Sequence, residues 1–421
     1  MILRLPYGRD SIVADLRGLH CRELRPEAPR HAPPAAALIE AALDRPAEGP
    51  PLAVLARGKR RVTVLVPDAT RKAALPAALP LVLGRLAAAG IGGDAVTVLV
   101  ACGTHPPAGA QELQALVGPL PAGVRVLQHD ARDAAALVQV GSLASGEPVR
   151  LSRAAVETDL LVAISTVQHH YFVGFGGGPK MVFPGVAGYA EIQANHGKVI
   201  DLASDPPRRN PRCEPGVVEG NPVAQEILAA AALRRPDFAL LLVAGADGAP
   251  AWSAGGALET VFPQACGKVR EWFEVDGGPF TRVVVSAGGF PTDHTLIQAH
   301  KALDAACRFA SQDAEVLFVA ACDGGAGSPA MEPFLADPRV ASIVARLASE
   351  YVQYGHTTLR LVEKTGRFRV LAKSELPREL VERLGMRAES DVEAVLDRWR
   401  DEDPDRPVGV IAGPPVYPRR G

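Results

Sequence analysis

Arg61-Val62-Thr63-Val64-Leu65-Val66 is followed by Pro67-Asp68-Ala69-Thr70-Arg71, and then by an Ala- and Leu-rich stretch over residues 73–89. The short, largely apolar run is the mark of a strand buried on both faces, as in a parallel sheet. With the loop and helix behind it, the segment reads as one strand–loop–helix unit. The form recurs further along the chain. A strand at 95–101 leads into Cys102-Gly103-Thr104-His105-Pro106-Pro107 and a helix starting near Ala110. A third strand at 125–128 leads to His129-Asp130. A fourth apolar run, Leu160-Leu161-Val162-Ala163-Ile164, feeds Gln168-His169-His170-Tyr171-Phe172-Val173-Gly174-Phe175-Gly176-Gly177-Gly178-Pro179-Lys180. A helix from about Tyr189 then carries His196. A Pro-, Arg-, Asn- and Gly-rich stretch at 204–222 reads as a long surface loop, followed by a helix at 222–233 and a strand at 238–244.

The rhythm restarts further on. A strand at 282–286 leads to Ala287-Gly288-Gly289-Phe290-Pro291 and a helix at about 293–309, and a strand at 315–320 leads to Cys322-Asp323-Gly324-Gly325. Helices near 338–350 and 392–400 and a strand at 408–412 close the chain. This alternation predicts an α/β protein of two domains, each a mostly parallel sheet flanked by helices. The expected domains are 1–270 and 271–421, with the boundary in the Gly-rich region of 265–280 and the active site in the cleft between them.

Composition narrows the class. The chain has 421 residues, 48% of them hydrophobic and 22% charged, with a formal net charge of −2. That length favours two domains over one core. The charge balance offers no footprint for nucleic acid and no polybasic membrane patch. No run approaches the length of a membrane span or a signal-peptide core, so a cytoplasmic location is expected. The six cysteines are dispersed without a CxxC pair, which suggests neither a zinc site nor a disulfide framework.

The polar residues of interest fall at strand ends, where open α/β sheets bind ligands. Asp68, Thr70 and Arg71 end one strand, His105 the next, and His169, His170 and Lys180 another. Asp293, Gln298 and Lys301 follow the Gly288-Gly289 turn, with Gln298 and Lys301 three apart on one helix face. Taken singly, Asp68 reads equally as a helix cap, His105 as a turn residue, His196 as packing, and Gln298 with Lys301 as a solvated face. Three consecutive glycines beside a strand rarely serve packing alone, and they let a backbone approach a ligand. Such a set suits a small carboxylate or a phosphate. The glycine run lacks the last Gly of GxGxxG, the Gly-Lys-Ser/Thr end of a Walker loop is missing, and HExxH is absent.

In order and spacing, Asp68-Ala69-Thr70-Arg71, Gly103-Thr104-His105, His170 with Lys180, His196, and Gly288-Gly289-Phe290-Pro291 with Gln298 and Lys301 resemble the nickel-dependent lactate racemase family. The resemblance runs from Tyr7-Gly8 to at least Gly325. It implies a nickel-pincer nucleotide tethered at Lys180, with His196 as the one protein ligand to nickel and Thr70, Gly176, Gly177 and Gly178 beside the cofactor. It also implies inversion at C2 of a 2-hydroxy acid by proton-coupled hydride transfer, with His105 and His170 as paired bases. Asp68 would orient an imidazole, while Arg71, Gln298 and Lys301 would hold the carboxylate. His169 then supports His170. The cofactor-making enzymes are implied as transient partners. Pro179 and Ile297 stand where lactate racemases tend to have Arg and Tyr, which leaves lactate, malate, aromatic and aldonic acids open as substrates. Two other readings remain at this point: a non-catalytic carrier of the pincer nucleotide, and an unrelated α/β protein that binds a phosphate ligand.

Overall fold

Every residue of the strands Val62–Pro67 and Val96–Ala101 is buried. Strands with apolar side chains on both faces need cover on both sides, which the intervening helices provide. The computed structural model describes residues 1–29, 32–68 and 75–420. In it the two strands lie parallel, with Val62 opposite Val96 and Pro67 opposite Ala101. Leu160–Thr166 runs parallel on the other flank of Val62–Pro67, and Phe238–Ala244 lies parallel beyond it. Arg125–Gln128 forms one edge of this six-stranded sheet and the antiparallel Pro250–Gly256 the other. The helix Leu75–Ala88 places Leu75, Ala78, Leu79, Val82 and Leu86 in one core with Val62, Val64 and Val66. Their spacing of three and four is that of one apolar helix face. Each large aliphatic side chain so buried contributes roughly 1.5–3 kcal/mol.

The order of strands decides where a ligand can bind. From Val62–Pro67 the chain steps outward to Val96–Ala101 and Arg125–Gln128, then returns to lay Leu160–Thr166 on the opposite flank. The carboxyl ends of Val62–Pro67 and Leu160–Thr166 therefore part at a topological switch point, the usual ligand crevice of an open α/β sheet. Asp68 leaves one of these strands and the segment 168–180 leaves the other.

This sheet belongs to a compact unit of residues 28–199 and 210–270; a second unit comprises residues 1–27, 200–209 and 271–421. The second unit has its own six-stranded, wholly parallel sheet in the order Arg387–Ala388, Arg369–Lys373, Ala310–Val319, Phe280–Ser286, Val408–Ile411, Cys21–Glu23. The α/β class with mostly parallel sheets is thus the one that the strand–helix alternation predicts.

The expected contiguous domain of residues 1–270 needs correction. Cys21–Glu23 pairs in parallel with Val408–Ile411, and Leu5, Ala14 and Leu16 share a core with Leu396 and Trp399. Backbone pairing and burial therefore draw the first 27 residues to the C-terminal unit. The stretch at 204–222 is not one loop either, because Arg208–Arg209 pairs antiparallel with Ile200–Asp201. Among the described residues no helix is long and apolar enough to cross a membrane.

Candidate active site

At the carboxyl end of Val62–Pro67, the side chain of Asp68 is 11% exposed and its Oδ2 lies 2.9 Å from His105 Nδ1. A carboxylate only accepts, so His105 Nδ1 carries the hydrogen and Nε2 keeps the lone pair. The pairing follows from register, since Pro67 and Ala101 are opposite and the two loops leave neighbouring strands. The His105 loop is further fixed where Gly103 N–H donates to Gly185 O at 2.9 Å. Cys102 at its base is no nucleophile, because burial and then the Asp68 charge push its thiol up to about 11. His129, on the next strand end, donates Nε2–H to Ala187 O at 2.8 Å. Burial pulls its pKa down, so it serves as a neutral clamp.

The segment after Leu160–Thr166 forms a small hairpin, with His169 opposite Phe175 and His170 opposite Gly174. Successive side chains on a strand point to opposite sides. His169 accordingly packs on Phe175 at 5.2 Å between ring centroids. His170 meets the Phe172 ring edge-on at 4.8 Å, and its Nε2 stands 3.5 Å from Lys180 Nζ. Phe172 is the hub of the arrangement. Its ring also lies 5.2 Å from that of His196, at 73°, and 5.8 Å from Lys180 Nζ. Its carbonyl is held by Asn221 Nδ2 at 2.9 Å, while Asn221 Oδ1 caps the following helix through Val223 N and Ala224 N. Sequence reasoning passed over Phe172 and Asn221. Asn221-Pro222 did carry a signal, since Asn at the cap with Pro behind it marks a helix start.

The glycine run has a cause that its sequence did not reveal. A Cβ on Gly177 would stand 2.4 Å from Thr166 O, and one on Gly178 would stand 2.3 Å from the Phe262 ring. Both residues also have positive φ. Close packing within the protein therefore demands these two glycines whether or not a ligand approaches them. Gly176 differs: the atom nearest to a Cβ there is His170 Cδ2, at 3.8 Å. Gly178 N–H donates to the buried Ser165 Oγ at 2.8 Å, which anchors the turn that presents Lys180.

In the second unit, Gln298 and Lys301 lie on the helix Leu296–Ala306, with Lys301 Nζ 2.5 Å from Gln298 Oε1. They are the two residues of that helix not buried. Beneath them, Asp304 is fully buried among Arg360, Arg308 and Lys364. Burial alone would raise its pKa, but the three cations hold its carboxyl well below the usual range. Asp293 has a structural task, accepting from Gly8 N at 2.7 Å and Ala321 N at 3.1 Å. Thr70 and Arg71 lie outside the described residues. Among those described, no group of three or more His, Cys, Asp or Glu could hold a metal ion.

A family model, "Lactate racemase N-terminal domain", matches residues 7–205. The lactate racemase of Thermoanaerobacterium thermosaccharolyticum is 30% identical over 77% of this chain and 75% of its own. That of Lactiplantibacillus plantarum is 30% identical over 71% of this chain and 69% of its own. The chain belongs to the lactate racemase family. It is an isomerase of the racemase type, and the reading as an unrelated phosphate-binding protein falls. The structure of the T. thermosaccharolyticum lactate racemase apoprotein superposes with a TM-score of 0.88 at 26% identity, covering 100% of both chains. A crystal structure of a Thermotoga maritima protein shares the fold at a TM-score of 0.65 and 16% identity, over 91% of this chain and 96% of that one.

Proposed function

We propose that this racemase inverts the C2 centre of a 2-hydroxy acid with a nickel-pincer nucleotide tethered at Lys180. The observation that carries the reading is the gathering of Lys180, His170 and His196 around the Phe172 ring, an amine and two imidazoles on one buried platform. The residues fit the group. Lys180 offers the amine for a covalent tether, and His196 offers one imidazole as metal ligand. With no second protein donor cluster among the described residues, nickel held here needs donors from its own cofactor. Gly176 leaves room beside His170.

When bound, the cofactor supplies the hydride acceptor and donor that the carbon centre requires. The protein's part is proton handling and positioning. A 2-hydroxy acid loses and regains its hydroxyl proton as its carbon is oxidised and reduced. His105, with its lone pair directed to Nε2 by Asp68, is suited to hold that proton for one enantiomer. His170 is suited to hold it for the other. Arg71, Gln298 and Lys301 are assigned to the substrate carboxylate, where each charge-assisted hydrogen bond contributes roughly 1.5–3 kcal/mol. Thr70, Gly176, Gly177 and Gly178 are assigned to the cofactor side. Retention of both imidazole bases supports an enzyme over a cofactor carrier, which needs neither.

The test is co-expression with the cofactor-making enzymes, followed by intact mass, nickel content and a chiral assay on lactate, malate, aromatic and aldonic acids. The expected result is an adduct lost in Lys180→Arg and racemisation of at least one acid. A chain without adduct or nickel would overturn the proposal.

A further inference from the structure

His196 sits in a chain of hydrogen bonds whose polarity is set from its far end. Its Nδ1 lies 3.1 Å from Asn195 Oδ1. Asn195 is fully buried, and its Nδ2 lies 3.0 Å from Glu226 Oε1 and 3.2 Å from Val223 O. Both of those partners only accept. Turning the Asn195 amide over would set its oxygen against a carboxylate and a carbonyl, so the orientation is dictated rather than free. Glu226 is held in turn by an ion pair from its Oε2 to Lys198 Nζ.

We infer that Asn195 and Glu226 are positioning residues that fix the tautomer of His196, with hydrogen on Nδ1 and the lone pair on Nε2. Lys198 can only donate, Glu226 can only accept, and Asn195 passes the acceptor face on to the imidazole. A histidine that binds a metal ordinarily donates its other ring N–H to such an acceptor, which fixes ring and tautomer together. Asn195 and Glu226 supply that acceptor here before any metal arrives. A neutral amide next to the ring also avoids a second charge at a fully buried position. The functional meaning rests on His196 as a metal ligand, but the tautomer does not, so the two statements fail separately.

The polarity argument makes one isosteric change decisive. In Glu226→Gln, Lys198 still demands an oxygen, so the new amide turns its NH2 toward Asn195. Asn195 then turns its oxygen to that donor and its NH2 to His196 Nδ1. The longer contact to Val223 O opposes the reversal, as does Glu147, a second carboxylate 3.5 Å from Lys198 Nζ.

The experiment labels the histidine rings of the full chain with ¹⁵N, without cofactor, at a pH above the imidazole titration range. His196 is assigned by loss of its signals in His196→Gln. In the wild type we expect a pyrrole-type shift at Nδ1 and a pyridine-type shift at Nε2. In Glu226→Gln the two exchange places in part or whole, with an unchanged circular dichroism spectrum. Hydrogen on Nε2 in the wild type, or a Glu226→Gln spectrum identical to wild type, overturns the inference. A nickel-free chain after co-expression would overturn the ligand role of His196 and leave the tautomer standing.

Discussion

His105 Nδ1 stands 2.9 Å from Asp68 Oδ2, at the ends of two neighbouring parallel strands. This pair aims the lone pair of His105 by the same rule that Asn195 applies to His196. The expected consequence is that Asp68→Ala, which removes the acceptor at Nδ1, lowers kcat by roughly 10²–10⁴-fold, the usual worth of a general base. Intact mass should still report the cofactor adduct. An unchanged kcat in the chiral assay would remove the pair from the chemistry.

Lys301 and Gln298 are the two open positions on an otherwise buried helix. If they hold the substrate carboxylate, Lys301→Met removes one charge-assisted bond of roughly 1.5–3 kcal/mol, a rise in KM of about 10- to 150-fold. Steady-state kinetics with the preferred acid measure this. A loss confined to kcat would point to a role other than carboxylate binding.

Gly178→Ala sets a Cβ against the Phe262 ring at a residue with φ of +55°. Overpacking plus backbone strain should cost about 2–4 kcal/mol in urea unfolding. Phe262→Leu in the same chain should recover the steric part and leave the backbone part, a coupling that a double-mutant cycle reads directly. Simple additivity would mean that the ring moves aside at no cost.

His300 is fully buried on the helix of Gln298 and Lys301, and burial, followed by the Lys301 charge, drops its pKa from 6.5 to about 3. Because the folded pKa is depressed, the unfolded chain takes the proton first. The stability due to this group is thus complete above about pH 6.5 and declines as pH falls toward 3, by roughly 1.4 kcal/mol per unit. Urea midpoints of the wild type should decline over that window. In His300→Leu the decline above the carboxylate range should be shallower but not absent, because buried His129 is depressed as well, whereas Asp304 acts only below the ordinary carboxylate range.

The sequence by itself determined the strand–helix rhythm and the class of fold. Runs such as Val62–Pro67 and Val96–Ala101 bury every residue, and a period of that kind is written in adjacent positions. It also marked strand ends as the place of Asp68, His105, His170 and Lys180, because polar residues after buried strands stand out locally. Tertiary structure alone decided what meets what. Residues 1–27 join the C-terminal unit because Cys21–Glu23 finds its partner in Val408–Ile411, nearly four hundred residues away. Gly178 is glycine because of Phe262, Phe172 is central because His170, His196 and Lys180 converge on it, and Asn195 faces His196 because Glu226 and Val223 face Asn195. Periodicity depends on neighbours in the chain, whereas packing and hydrogen-bond polarity depend on neighbours in space.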